Sequence, residues 1–152
     1  MKSNAKRPEP GAEPLEIQKY FLATTSRSVV LEIQNMSDTF FKIQDSLLIH
    51  GDTLINPLPE TILPNSSFTI GHGSYGFMTG CEGWAKYIEK GGIMMKIHWM
   101  VEYIGNSSIT VDINSFTYEK QEITEHSTSN NIMQRLIINN PKDKSYLFNM
   151  LY

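Results

Sequence analysis

The 152-residue chain is 40% hydrophobic, which is enough for one domain around a single core. Its 13 basic and 16 acidic residues give a net charge of −3, and no stripe of Lys or Arg could neutralise a phosphate backbone, so we expect no nucleic-acid partner. Cys81 is the single cysteine, which excludes an internal disulfide, and we expect a small buried hydrophobe there rather than a reactive thiol.

Residues 1–14 lack the apolar stretch of a secretory signal, and no later apolar run reaches the ~20 residues of a membrane-spanning helix. We therefore expect synthesis in the cytoplasm without a signal peptide. Three prolines and one glycine lie within residues 8–14, so we interpret residues 1–14 as a flexible arm and residues 15–152 as the domain. Residues 15–22, LEIQKYFL, fit either one or two helical turns after Pro14 or an edge strand.

Alternation of apolar and other side chains predicts a series of short strands. It is clearest in residues 93–102, where Ile93 to Val101 place every second side chain on one face. Prolines in residues 56–67 exclude a central strand or a helix interior there. The predicted strands cover residues 27–35, 39–45 with a continuation over 46–50 after a bulge, 68–70, 84–89, 93–102, 109–113, 116–123 and 132–138.

Five glycines lie in residues 71–83 at intervals of two to four residues, too irregular for a strand or a helix. We expect a shaped loop with backbone at positive φ, carrying aromatic side chains. Beyond it, the Gly91-Gly92 pair predicts a hairpin turn. The chain from Pro141 onward fits either a last strand or a frayed end.

Eight or so short strands with turns between them, and no long amphipathic helix, predict an all-β fold. We interpret the chain as a single-domain antiparallel β-sandwich.

Patterns for catalysis or metal binding are not found. The histidines His50, His72, His98 and His126 lie far apart without the spacing of zinc sites, and we expect each to be a surface or loop residue. There is no G-x-S-x-G elbow, no phosphate loop and no dinucleotide fingerprint followed by a helix. We expect no catalytic residues, no metal and no cofactor.

Two segments resemble the aegerolysin family: residues 73–87, GSYGFMTGCEGWAKY, and residues 97–107, IHWMVEYIGNS. The similarity covers about residues 27–115, is most specific over residues 76–83, and is greatest to the small component of bacterial binary insecticidal toxins. The resemblance implies a β-sandwich that binds membrane sphingolipid and works with a larger pore-forming partner protein. It also implies release from the cell and action at target membranes.

Aromatic side chains near loops suit such a function, because their apolar bodies enter the membrane interface while their polar edges stay wet. Trp99 shares a face with Ile97 and Val101, so core packing is favoured over ligand contact there. Tyr75, Phe77 and Tyr103 fit either role. The candidate lipid-binding residues are Tyr75, Phe77, Thr79, Glu82, Trp84, Tyr87, Trp99, Glu102 and Tyr103.

A cationic choline or ethanolamine headgroup favours an aromatic face together with a carboxylate. Glu82 or Glu102 could supply that carboxylate. Glu82 could equally brace a loop by accepting hydrogen bonds from backbone N–H groups among the glycines.

Two other classes stay open. The order of a short amphipathic segment at residues 15–22 followed by strands is similar to that of actinoporin-like cytolysins, which insert an N-terminal helix themselves. Solvent-facing aromatic side chains also suit a β-sandwich module that binds protein or carbohydrate.

Overall fold

The computed structural model describes residues 5–76, 79–104, 107–113, 119–125 and 127–139. A single helix in this part of the chain, α1 (Pro14–Thr24), precedes the strands. The strands are β1 (Arg27–Asn35), β2 (Phe41–His50), β3 (Thr53–Ile55), β4 (Thr61–Ile62), β5 (Ser66–Ser74), β6 (Cys81–Glu89), β7 (Met94–Val101), β8 (Ser107–Ile113), β9 (Glu119–Glu125) and β10 (Asn131–Asn139).

The strands form two five-stranded sheets that pack face to face. The first has the order β3-β5-β1-β10-β9 and the second the order β4-β2-β6-β7-β8. Neighbouring strands are antiparallel except β1 and β10, which are parallel. The predicted β-sandwich is therefore confirmed, and the parallel pair at the centre of the first sheet is a feature that the sequence did not indicate.

The main core lies between the sheets. β1 turns Val29, Leu31 and Ile33 into it, and β7 contributes Ile97 and Trp99 from the opposite sheet, all fully buried. The alternation of apolar side chains in these segments therefore predicted correctly which side chains face the core.

Helix α1 covers the outer face of the first sheet. Pro14 begins the helix, where its missing N–H costs nothing, and Ile17 and Phe21 pack against Val30 of β1 in a second buried cluster. Of the two structures left open for residues 15–22, the helix is the one observed. No helix in the described ranges is long and apolar enough to cross a membrane.

The prediction of one glycine loop over residues 71–83 is wrong, because Gly71 and Gly73 belong to β5 and Gly83 belongs to β6. A Cβ on Gly71 would lie 2.7 Å from Ile17 Cγ2 and from Phe21 Cε2, so this glycine permits the close approach of α1. Among the described glycines, positive φ angles occur elsewhere, at Gly11, Gly51 and Gly92.

Other local predictions hold with small shifts. β6 and β7 form the expected hairpin. β2 has two bulges, one between Ile43 and Asp45, just before the expected place, and one between Leu48 and His50. The predicted strand over residues 116–123 begins outside the described residues, and β9 continues to Glu125. The chain end from Pro141 also lies outside the described residues.

The predicted arm contacts β3 and the turn that follows it. The guanidinium of Arg7 donates to the Leu54 carbonyl (2.6 Å), and the Gly11 amide donates to Asn56 Oδ1 (3.2 Å). The domain boundary at residue 14 stays a prediction.

Candidate functional site

Several connections meet at one end of the sandwich, because the registers bring the ends of β2, β5 and β7 together. β5 leaves the sheet at Ser74 and β6 enters at Cys81, opposite Val101, the last residue of β7. β2 ends nearby at His50, which pairs with Glu82.

Two adjoining hollows open at this end, and we call them together the end hollows. They share His50 and Gly80. The larger, about 520 Å³, is lined by His50, Gly51, Asp52, Ser74, Thr79 and Gly80. The smaller, about 230 Å³, is lined by His50, Gly80, Cys81, Glu82, Met100, Val101, Glu102 and Tyr103. The charged lining residues Asp52, Glu82 and Glu102 are all acidic, so the charge of the end hollows favours a cationic group.

The loop after β5 is held by hydrogen bonds on both sides. Tyr75 is 44% exposed, its hydroxyl lies 3.0 Å from the hydroxyl of Tyr20 on α1, and its amide donates to Asp52 Oδ1 (3.2 Å). Thr79 is exposed, and its hydroxyl donates to the Gly76 carbonyl (2.8 Å) and also bonds the Ser74 hydroxyl. The loop therefore presents Tyr75 in a fixed position.

Tyr103 follows β7 and is half-buried. The Arg27 guanidinium lies 4.9 Å from its ring centroid and also donates to its carbonyl (3.2 Å). This cation–π contact positions the ring and occupies one of its faces. Glu102, beside it, is exposed.

Glu82 does not brace a loop, so that alternative is wrong. It lies on β6, and its Oε2 is 2.8 Å from Nε2 of His98 on the neighbouring strand. Both side chains are partly exposed, at 23% and 30%.

Tyr87 and Trp99 are both 0% exposed, so neither offers a surface to a ligand. The Trp99 indole N–H donates to His72 Nδ1 (2.9 Å), and the Tyr87 hydroxyl donates to the Pro59 carbonyl (2.8 Å). These bonds satisfy the polar atoms of two large core side chains. Trp99 therefore packs in the core, as its alternation predicted. The prediction that Tyr87 contacts lipid is wrong, because Tyr87 is a core residue.

His72 is 1% exposed, so the expectation of a surface or loop histidine is wrong at this position. Burial lowers the pKa of His72, and the nearby backbone of Gly51 and the charge of Asp52 only partly oppose that effect. Because Nδ1 accepts from Trp99, the neutral ring carries its proton on Nε2.

Cys81 is buried against the same histidine, with its thiol donating to the His72 carbonyl (3.1 Å). Burial raises the pKa of the Cys81 thiol to about 12. The prediction that Cys81 is buried is confirmed.

Trp84 lies on the outer face of the second sheet and is half-buried. The ammonium groups of Lys86 and Lys96 lie 5.6 Å and 5.8 Å from its ring centroid. This cluster is not among the residues that line the end hollows.

Four of the candidate residues line the end hollows: Thr79, Glu82, Glu102 and Tyr103. Tyr75 lies in the same connection between β5 and β6 as Thr79. Phe77 lies outside the described residues. The sequence did not predict that His50 and Asp52 line this site or that Arg27 contacts Tyr103. Gly51 and Asp52 indicated only that a strand ends there. Within the described ranges, no group of three or more His, Cys, Asp or Glu side chains could hold a metal ion.

No protein-family model matches the sequence, and no curated protein matches it by sequence. Solved structures that share its fold include the following three. The lipid binding protein Nakanori has a TM-score of 0.66 at 10% identity, over 84% of this chain and 77% of its own. RahU, solved with a TRIS molecule, has a TM-score of 0.64 at 12% identity, over 79% of this chain and 99% of its own.

The third, IP-1A from Alcaligenes faecalis, has a TM-score of 0.58 at 16% identity, over 82% of this chain and 98% of its own. At these identities the likeness establishes the fold. One protein with this fold is thus a lipid binding protein.

Proposed function

We propose that this protein binds membrane lipid, and that the end hollows receive the headgroup. The observation that carries the proposal is the concentration of loop aromatics and carboxylates at one end of a fold shared with a lipid binding protein. Tyr75 and Tyr103 supply the amphipathic rings suited to a membrane interface.

The acidic residues that line the end hollows favour a lipid whose headgroup carries a cationic group. Asp52 and Glu102 carry negative charge at the hollows, and the lining residues include no Lys or Arg. The ring of Tyr75, which is 44% exposed, could contact a quaternary ammonium while a carboxylate balances the charge of that group. Choline or ethanolamine sphingolipids carry such groups, and the aegerolysin resemblance of residues 73–87 and 97–107 favours them over glycerolipids.

We also propose that the protein recognises the membrane for a larger, pore-forming partner. Helix α1 has 11 residues and so is about 16 Å long, against about 30 Å of bilayer hydrocarbon. Its apolar face is already occupied by the first sheet. The actinoporin-like alternative would need this helix to leave the sheet, and dye release from vesicles by the protein alone would favour it.

The site is tested by vesicle affinity of Tyr75→Ala and Tyr103→Ala. Each variant removes interfacial burial on the order of 1.5 kcal/mol, the lower end of what a large side chain contributes, so affinity should fall about tenfold. Phe40→Ala is the matched control, because Phe40 is also 44% exposed but precedes β2 at the opposite end. Unchanged affinity in both tyrosine variants, or an equal loss in Phe40→Ala, would place recognition elsewhere.

A further inference from the structure

The outer edge of β2 is an exposed apolar strand edge. β4 pairs only with Phe41 and Lys42, so the remainder of β2 has no strand on that side in the described part of the chain. Along it, Leu47, Leu48 and Ile49 are 52%, 40% and 41% exposed. Sheet edges ordinarily avoid such runs, because they invite association.

This edge continues onto the outer face of the second sheet. Leu47 pairs in register with Trp84 on β6, so the two side chains share one face. The ammonium groups of Lys86 and Lys96 lie over the Trp84 ring. We call five residues of this surface the β2 patch: Leu47, Ile49, Trp84, Lys86 and Lys96.

Lys86 and Lys96 form a pair of like charges at the centre of this face. Lys86 and Lys96 lie directly opposite each other, an arrangement that is destabilising for like charges. Asp45 and Asp112 are their next partners in register, yet neither lysine makes an ion pair with any described residue. The Asp45 carboxylate instead accepts from the Ser46 amide (2.9 Å). An anion placed between the ammonium groups would relieve their repulsion.

We propose that the β2 patch is the surface that lies on the bilayer, with its apolar residues in the interface and its lysines on lipid phosphates. The proposal rests on the lipid-binding function above and adds a docking face and a phosphate contact to it. Apolar side chains flanked by lysines are the combination that binds peripheral proteins to membranes. Ile49 is followed directly by His50, which lines both end hollows, so patch and hollows are continuous.

Charge favours a bilayer over a second copy of the chain. Twofold packing of two β2 patches face to face would bring two Lys86–Lys96 pairs towards each other, and like charges across an interface oppose association. Phosphate groups at a membrane surface present the complementary charge.

The first test measures affinity for vesicles of phosphatidylcholine and sphingomyelin, with and without phosphatidylserine. The double variant Lys86→Gln/Lys96→Gln should bind the phosphatidylserine vesicles about 30-fold more weakly, from roughly 1 kcal/mol per lysine. Lys6→Gln/Lys19→Gln, exposed residues of the arm and of α1, is the charge-matched control and should change affinity less than about twofold.

The second test concerns the apolar residues. Leu47→Ser/Ile49→Ser should weaken binding to all these vesicles. The control Leu15→Ser/Leu22→Ser, at residues of α1 that are 40% and 41% exposed, should not. In the unmodified protein, bromine-labelled lipid should quench tryptophan emission, and Trp84→Phe should remove the quenching because the other tryptophan, Trp99, is buried. This readout does not depend on the serine variant folding.

The outcomes separate the two proposals. If the unmodified protein binds no vesicle, the proposed function fails and the docking face fails with it. If it binds, but the β2 patch variants match their controls and bromine-labelled lipid leaves Trp84 unquenched, the docking face alone is overturned. Self-association that is lost in Leu47→Ser/Ile49→Ser, with vesicle affinity unchanged, would also overturn it in favour of a dimer.

Discussion

Trp99 is held in the core by packing and by a hydrogen bond. Its indole covers Gly83, where a Cβ would overlap the ring, and its N–H donates to His72. Alternation along β7 predicted the inward direction of this side chain. It could not predict the bond to His72, because that residue is 27 positions away on the other sheet.

Trp99→Ala should therefore lower the free energy of unfolding by about 3–5 kcal/mol, the range for removing a buried aromatic side chain. It leaves a cavity and removes the donor that faces His72 Nδ1. Urea unfolding measures the change, with Trp84→Phe as a control at a half-buried position. A Trp99→Ala protein of normal stability that no longer binds vesicles would instead make Trp99 a lipid contact.

His72 should make stability depend on pH. Its folded pKa is below the ordinary 6.5, so the unfolded chain binds the proton more tightly. Stability contributed by the neutral ring is thus fully present above about pH 6.5 and is lost as pH falls below it. His72→Gln should reduce the difference in melting temperature between about pH 7.5 and about pH 5. His50→Gln, at an exposed strand end, should keep it. An undiminished difference in His72→Gln would assign the pH dependence to other groups.

At the scale of elements, the contact between α1 and β5 depends on two glycines. Gly71 and Gly73 lie under Phe21, and a Cβ on either would contact its ring. The sequence suggested a loop here because closely spaced glycines are typical of turns. The same spacing serves equally to let a helix approach a strand, and local sequence does not distinguish the two.

Gly71→Ala should destabilise the protein by about 1–3 kcal/mol, because the added methyl overpacks the contact with Ile17 and Phe21. By itself, Phe21→Leu should lower stability, because it removes buried apolar area. In the double variant it should reduce the destabilisation caused by Gly71→Ala. Thermal unfolding of the two single variants and the double variant gives this coupling. Additive costs would show that Phe21 is not what the methyl meets.

At the scale of the whole molecule, the sandwich was predictable and its strand order was not. Alternation marks the strands and their buried faces, as in β1, β6 and β7. It carries no information on partners, so the parallel pairing of β1 with β10, some hundred residues apart, was not foreseen.

The same limit applies to the site. Composition and resemblance selected Tyr75, Glu102 and Tyr103, which the fold gathers at one end. They missed Asp52 and Arg27, whose roles arise only when separate strands meet. Tyr87, by contrast, looked like a ligand contact because an aromatic near a turn is indistinguishable in sequence from one that fills the core.

Co-sedimentation of the unmodified protein with vesicles tests the central claim most directly. The panel consists of phosphatidylcholine alone and phosphatidylcholine mixed with sphingomyelin or with ceramide phosphoethanolamine. Sphingolipid recognition, which the aegerolysin resemblance favours, predicts that the protein sediments with at least one sphingolipid mixture and stays in solution with phosphatidylcholine alone. Protein that stays in solution with every mixture, or sediments equally with all three, would contradict sphingolipid recognition.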